Sequence, residues 1–176
     1  YTEIFKNMLN NKRIKIELNH NFKFEDIELY NHVLYTGPLD DLFNYKFGKL
    51  DWRSLKFEKK ILRVNDFQGN SVINYPELKY KFTRIHEPKH LHTERNYPKD
   101  KTLLIYEYPI LNPKEPYYPI NNNTNRIIHR KYKNLSKKFN NLLTGGRLAD
   151  YAYYDMDMTI SAALKLYENK IKSMFI

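Results

Sequence analysis

Trp52-Arg53-Ser54-Leu55-Lys56-Phe57-Glu58-Lys59-Lys60-Ile61-Leu62 interleaves charged and apolar residues. A half-buried strand reads this way, because successive side chains leave it on opposite faces. Three further stretches rich in β-branched and aromatic residues, at 69–75, 82–87 and 101–108, are strand candidates as well. Asp66, Gly69, Pro76, Pro88, Pro98 and Pro113 mark the loops around them. No helical spacing intervenes, so the strands are expected to pair antiparallel; parallel pairing would need long crossovers.

The flanks of this block read differently. Tyr1, Ile4, Phe5, Met8 and Leu9 repeat at helical spacing until Asn10-Asn11. Ile14, Ile16 and Leu18 alternate with Lys15 and Glu17, which predicts a strand. The stretch 32–36 predicts a buried strand entering the turn Gly37-Pro38, and Pro38 opens a short helix through Phe43. Downstream, 126–139 predicts a basic amphipathic helix with Ile127, Ile128, Tyr132, Leu135 and Phe139 inward. Leu142-Leu143-Thr144 then enters Gly145-Gly146 and Arg147. Asp155 is the expected N-cap of a last helix carrying Ile160, Ala163, Leu164, Tyr167, Ile171 and Met174 inward. Helix-flanked strands around an antiparallel block give an α/β chain, α+β in detail.

Composition narrows the chemistry. Among 176 residues there is no Cys, which excludes disulfide frameworks and Cys nucleophiles. Hydrophobic residues make up 41%, enough for a core, and no apolar run approaches the ~18 residues of a membrane span. The net charge of +10 comes largely from Lys scattered among Asn, with no cationic run longer than two. Most of that charge is expected to be solvated surface, with no nucleic-acid partner. The chain opens on Tyr1 with no charged-then-apolar leader, so it is expected to be a piece of a longer protein.

Several motifs invite chemistry. His86-Glu87-Pro88-Lys89-His90 matches the letters of a zinc-protease helix, but Pro88 costs about 3 kcal/mol inside a helix, and no metal is expected. Tyr117-Tyr118 and Tyr151, Tyr153 and Tyr154 cluster beside turns where a ligand can approach. Arg84 falls within a strand, where a charge needs a partner. Gly145-Gly146-Arg147 offers close backbone approach and a fixed cation, ahead of a helix N-terminus at Asp155 that suits an anion. The glycine-rich dinucleotide fingerprint is missing from the chain.

Tyr35-Thr36-Gly37-Pro38-Leu39-Asp40, Gly48-Lys49-Leu50-Asp51-Trp52-Arg53-Ser54-Leu55, Gln68-Gly69-Asn70 with Ile73-Asn74-Tyr75, and Thr83-Arg84-Ile85 resemble the UDP-galactopyranose mutase family. Glu107-Tyr108-Pro109, Glu115-Pro116-Tyr117-Tyr118-Pro119-Ile120-Asn121, Gly145-Gly146-Arg147-Leu148-Ala149-Asp150-Tyr151 and Tyr153-Tyr154-Asp155-Met156 continue the resemblance in the family's order. It covers that family's C-terminal half. It implies the C-terminal part of an FAD-binding Rossmann-like domain (1–37 and 141–176) around an antiparallel substrate domain with a closing helix (38–140). The implied reaction interconverts UDP-galactopyranose and UDP-galactofuranose through an N5 adduct of reduced FAD, in the cytoplasm, toward cell-surface polysaccharide. A homodimer is among the assemblies it admits. By resemblance Arg84 is catalytic, and Asn74, Arg84, Tyr118 and Tyr153 bind substrate. Arg147, Tyr154, Asp155, Met156, Asn19, His20, Thr36 and Gly37 are cofactor-binding by the same resemblance, and the fragment alone is expected to be inactive. The alternatives are a non-catalytic sugar-nucleotide-binding module and a nucleic-acid binder.

Overall fold

A computed structural model describes residues 1–111 and 115–174; Pro113, expected in a loop, lies outside them. Its largest unit is an antiparallel five-stranded sheet in the order β3-β4-β5-β2-β6. The strands are β2 (Trp52–Leu62), β3 (Val72–Asn74), β4 (Arg84–His86), β5 (Thr102–Leu111) and β6 (Tyr118–Pro119). The long pair β2 and β5 runs in continuous register from Arg53↔Leu111 to Leu62↔Thr102. The interleaved stretch is therefore a strand with antiparallel neighbours on both sides, as expected.

A smaller unit precedes and follows it. Strand β1 (Val33–Tyr35) pairs in parallel with β7 (Leu142–Thr144), joining segments more than a hundred residues apart. The α-helices among the described residues are α1 (Thr2–Leu9), α2 (Leu39–Leu42), α3 (Asn123–Ser136), α4 (Gly146–Ala149) and α5 (Met156–Leu166). Val33 and Leu142 share one core with Ile27, Leu39, Leu42, Phe43, Tyr132 and Ala149. Helices α2 and α3 thus pack with the parallel pair. A second, smaller core of Leu50, Trp52 and Tyr151 links that unit to the near end of the sheet.

The segment 14–18 forms no strand, against the alternation read from it. Strand β1 pairs with β7, so the segment has no ladder partner, and Ile14, Ile16 and Leu18 are exposed. Helix α3 covers 126–136 of the expected 126–139, starts three residues earlier, and is capped by the Asn122 side chain, which accepts from the Asn125 N–H. Ile127, expected inward, is 54% exposed. Its direction lies off the arc set by Tyr132, Asn125 and Ser136, which are buried. Asp155 takes the N-cap position of α5 but makes no side-chain capping bond. No residue of α5 is buried, and the apolar residues expected inward at Ile160 and Leu164 are exposed. Beyond Leu166 the helix continues with a π turn at Tyr167–Ile171 and a 3-10 turn at Lys172–Met174.

The zinc-like pentapeptide forms no helix that presents both imidazoles. His86 ends β4 and donates to Glu107, whereas His90 sits in a 3-10 turn at Pro88–Leu91, facing Asp66. Glu87 between them is fully buried and accepts from the N–H groups of Phe67 and Gln68 and from the Thr102 hydroxyl. Three donors meet the cost of burying that carboxylate and pin the loop after β2 to β5.

Tyr132 does comparable work at the other core. Its ring is fully buried, and its hydroxyl accepts from the Phe47 N–H at 2.9 Å and donates to the Gly48 carbonyl at 2.8 Å. Removing that oxygen strands two backbone groups. Tyr132→Phe is expected to lower unfolding free energy by about 1–3 kcal/mol, seen as a lower urea midpoint; an unchanged midpoint would refute the assignment.

Candidate functional site

Period two along the strands decides which side chains can meet. Directly opposed residues of an antiparallel pair share a face. The register sets Asn74 opposite Arg84, Arg84 opposite Glu107, and Glu107 opposite Phe57. Four residues back along β2, Arg53 opposes Tyr118 of β6, with Leu55 opposite Pro109 between the two rows. One sheet face therefore carries two arginines, a carboxylate, an asparagine and a tyrosine.

The opposite face is where Trp52, Ser54, Ile85 and Leu104 are buried. Tyr75, Tyr106 and Tyr108 pack edge-on around Phe82, with Tyr80 tilted against it.

The polar face opens into a cleft of roughly 660 Å³ lined by Arg53, Arg84, Glu107, Tyr118, Asn121 and Tyr153, among others. Glu107 is its buried floor. Its carboxylate accepts from the Thr83 hydroxyl and from His86 Nε2, each at 3.2 Å, and stands 3.4 Å from Arg84 Nε. Arg84 therefore has the partner that its strand position demanded. The pair is asymmetric: the Glu107 side chain is 6% exposed and that of Arg84 44%. The carboxylate orients the guanidinium, and the guanidinium still faces the cleft.

The cleft's other wall comes from the chain after β7. Arg147 donates from Nε to the Tyr117 carbonyl at 3.0 Å and from Nη1 to the Tyr154 carbonyl at 2.8 Å. Its guanidinium carbon lies 5.1 Å from the Tyr118 ring centre and 4.8 Å from that of Tyr153. Those two rings stack 5.4 Å apart at 18°. Most other tyrosine hydroxyls nearby are engaged: Tyr117 bonds Glu115, Tyr151 bonds backbone, and Tyr154 reaches Asp150. The hydroxyls of Tyr118 and Tyr153 have no hydrogen-bond partner among the described residues.

Sequence reasoning assigned Arg84, Tyr118 and Tyr153 to one site, and the fold brings them together. Asn74 stands one strand out from Arg84, in the same row. Arg147, assigned with the cofactor group, lies against both tyrosines and so bridges the two groups. Arg53, Asn121 and Glu107 were not singled out as functional. Register relates two of them to the assigned residues, Glu107 opposite Arg84 and Arg53 opposite Tyr118, whereas Asn121 lies past the end of β6.

Of the remaining candidates, Thr36 and Gly37 stand at the carboxyl end of the parallel strand β1, beside the glycine pair Gly145 and Gly146 that follows β7. Gly146 has φ +87°, and a Cβ there would come within 3.5 Å of Thr36; a Cβ on Gly145 would come 3.0 Å from Leu166. Tyr154, Asp155 and Met156 lead into α5, and burial pushes the Tyr154 phenol up. Asn19, with φ +58°, and His20, 3.7 Å from Asp26, precede the 3-10 turn at Phe24–Leu29. Neither lines the cleft.

Comparison with known proteins follows the same lines. The family model of UDP-galactopyranose mutase matches residues 1–153. A probable UDP-galactopyranose mutase of Klebsiella pneumoniae is 34% identical over 174 residues, 99% of this chain and 45% of that protein. A dTDP-fucopyranose mutase of Escherichia coli is 33% identical, covering 98% of this chain and 48% of its own length. A UDP-galactopyranose mutase of Mycoplasma genitalium is 37% identical, covering 94% and 44%. The chain thus spans a little under half the length of these relatives.

Tyr151 holds the cleft's two walls together. Its hydroxyl accepts from the Ile120 N–H at 3.1 Å and lies 2.6 Å from the Asp51 carbonyl, and its ring meets Trp52 edge-on at 4.8 Å. Burial pushes this phenol up to about 12, and burial also pushes Tyr35 up to about 12. An unfolded tyrosine ionises near pH 10, so the unfolded state gains by ionising between pH 10 and 12. The stabilisation is complete below pH 10 and is lost as pH rises through 12. Urea midpoints are expected to fall across that window. Tyr151→Phe is expected to flatten the dependence by up to about 1.4 kcal/mol per pH unit; profiles that stay parallel would refute this role.

Proposed function

The chain belongs to the UDP-galactopyranose mutase family, and from that premise we propose that it supplies the substrate floor and one side of the cofactor crevice of a flavin-dependent mutase interconverting UDP-galactopyranose and UDP-galactofuranose. The observation that carries this reading is the convergence of Arg84, Tyr118 and Tyr153 on one cleft, with Arg147 behind the tyrosines. Two unpartnered phenols and two arginines suit a ligand rich in anionic oxygens, as a nucleoside diphosphate is.

In this reading the parts divide by what each can do. Arg84, held by Glu107, places a fixed cation against the diphosphate and stabilises the charge that grows as UDP departs. Arg53, in the same cleft, adds a second cation. Tyr118 and Tyr153 donate to diphosphate oxygens, and Asn74 contacts the substrate from the next strand. Because both phenols are already stacked and backed by Arg147, little reorganisation accompanies binding.

The cofactor crevice fits FAD on one side. Open sheets take ligands outside the carboxyl ends of their parallel strands, where Thr36, Gly37 and the glycine pair keep the backbone close. Thr36, Gly37, Arg147, Tyr154, Asp155 and Met156 are the residues we assign to that side, with Asn19 and His20 toward the adenine. When bound in reduced form, FAD would be held by these residues and would supply a nucleophile for the anomeric carbon. The segments 1–37 and 141–176 would belong to the FAD-binding domain and 38–140 to the substrate domain.

Titration calorimetry with UDP tests the substrate half directly. Arg84→Ala is expected to weaken UDP binding about 10- to 100-fold, the range of one charge-assisted hydrogen bond, and Tyr118→Phe and Tyr153→Phe by smaller factors. In the full-length protein with reduced FAD the same arginine change is expected to depress conversion of UDP-galactofuranose. UDP affinity indifferent to Arg84 would sink the proposal.

A further inference from the structure

We infer that the outward face of α3 docks the protein onto the surface of an anionic lipid bilayer. The buried side of the helix is set by Asn125, Tyr132 and Ser136, with Ile128, Leu135 and Phe139 beside them. At about 100° per residue, Arg126, Ile127, Arg130, Lys131, Asn134, Lys137 and Lys138 fall within an arc of roughly 140° on the opposite side. All seven are exposed.

This face carries five cations and no acid, and α3 itself contains no Asp or Glu. None of the five side chains has an ion-pair or hydrogen-bond partner among the described residues. Their neighbour Lys133 shows the contrast. It lies at the edge of the arc and is spent on Asp150 at 3.0 Å and Thr144 at 2.8 Å. Lys138 lines a cavity with Glu25 and Glu28, so it contributes least, and Arg126, Arg130, Lys131 and Lys137 form the centre of the field.

Charge complementarity asks for an anionic partner, and the shape of the face selects which. Arg126, Arg130 and Lys131 run along a helix about 20 Å long, Lys137 follows its last residue, Ser136, and these four line none of the cavities described above. A fixed set of carboxylates on another protein would need matching relief, whereas laterally mobile headgroups adjust to any spacing. Single-stranded nucleic acid is held by aromatic platforms, and the exposed arc offers none. One apolar side chain, Ile127, lies among the cations and can enter the headgroup layer. Attachment through this face is therefore electrostatic, reversible and sensitive to salt.

Co-sedimentation with vesicles tests this. The chain and the full-length protein are each expected to bind phosphatidylcholine vesicles containing 30% phosphatidylglycerol at about 50 mM salt. Pure phosphatidylcholine should bind neither, and binding should fall at least tenfold near 300 mM. The quadruple variant R126Q/R130Q/K131Q/K137Q is expected to lose at least tenfold in partitioning while keeping its far-UV spectrum and UDP affinity. The control K59Q/R63Q/K81Q/K99Q removes the same charge from the sheet unit and is expected to bind vesicles like the parent. Equal losses in both variants would overturn the inference, because net charge alone would then account for binding. So would absence of phosphatidylglycerol-dependent binding, or tighter α3-dependent binding to a 30-base-pair duplex under the same conditions.

Discussion

The hydroxyl of Tyr151 lies where the structure's two units meet. Its backbone has φ +49°, an uncommon conformation for a non-glycine residue. That conformation turns the ring back under β2, where the oxygen engages the chain at Asp51 and at Ile120. Asp51 precedes β2 and Ile120 follows β6, so one side chain ties both strand ends to the segment that carries Arg147 and Tyr153. Asn125 reinforces the junction by donating to the Asp51 carboxylate and the Ile120 carbonyl. Without this junction the stacked tyrosines would have no fixed relation to the sheet face that carries Arg84.

On that face, stability and, in the proposed reading, recognition draw on the same groups. Burying Glu107 is costly unless cations and donors compensate, and Arg84, His86 and Thr83 supply them. In return the carboxylate fixes the direction of a half-exposed guanidinium. Replacing Glu107 would free Arg84 to rotate as well as strand two donors, so the effects on folding and on binding cannot be assigned to separate residues. Arg147 repeats the arrangement with backbone carbonyls in place of a carboxylate. Each arginine is held by one side of its fork while the rest faces the cleft or the rings.

The antiparallel block was legible because its signal is local. Alternation through 52–62 and the β-branched and aromatic run at 101–108 each state their own periodicity, although the pairing of β2 with β5 skips over β3 and β4. The same alternation misled at 14–18, since a strand needs a partner that no local pattern names. The pairing of β1 with β7 links residues too far apart for any window to capture. Helical spacing in α5 revealed an amphipathic helix without revealing what would cover Ile160 and Leu164. Arg84 was singled out because a charge in a strand must be matched, but Glu107 became visible only through register. The charge of α3 escaped a linear count for a similar reason: no run exceeds two cations, and only the helical projection gathers five on one side.

The two units differ in how far they are self-sufficient. The antiparallel sheet satisfies its own ladders and buries one face, so the arginine-bearing face needs nothing beyond Tyr151 and the segment after β7 to take shape. The parallel pair is a different case. Parallel strands are ordinarily covered on both faces, yet Leu34 is 46% exposed, and α1 and α5 present Ile4, Phe5, Met8, Ile160 and Leu164 to solvent. Apolar area left in water forgoes about 25 cal/mol per Å², so the unit built on the parallel pair is the less stabilised half. In the proposed reading this separates the two ligands energetically. Grip on the diphosphate rests on a sheet that holds its own geometry, while the flavin side gains order only as its apolar faces are covered.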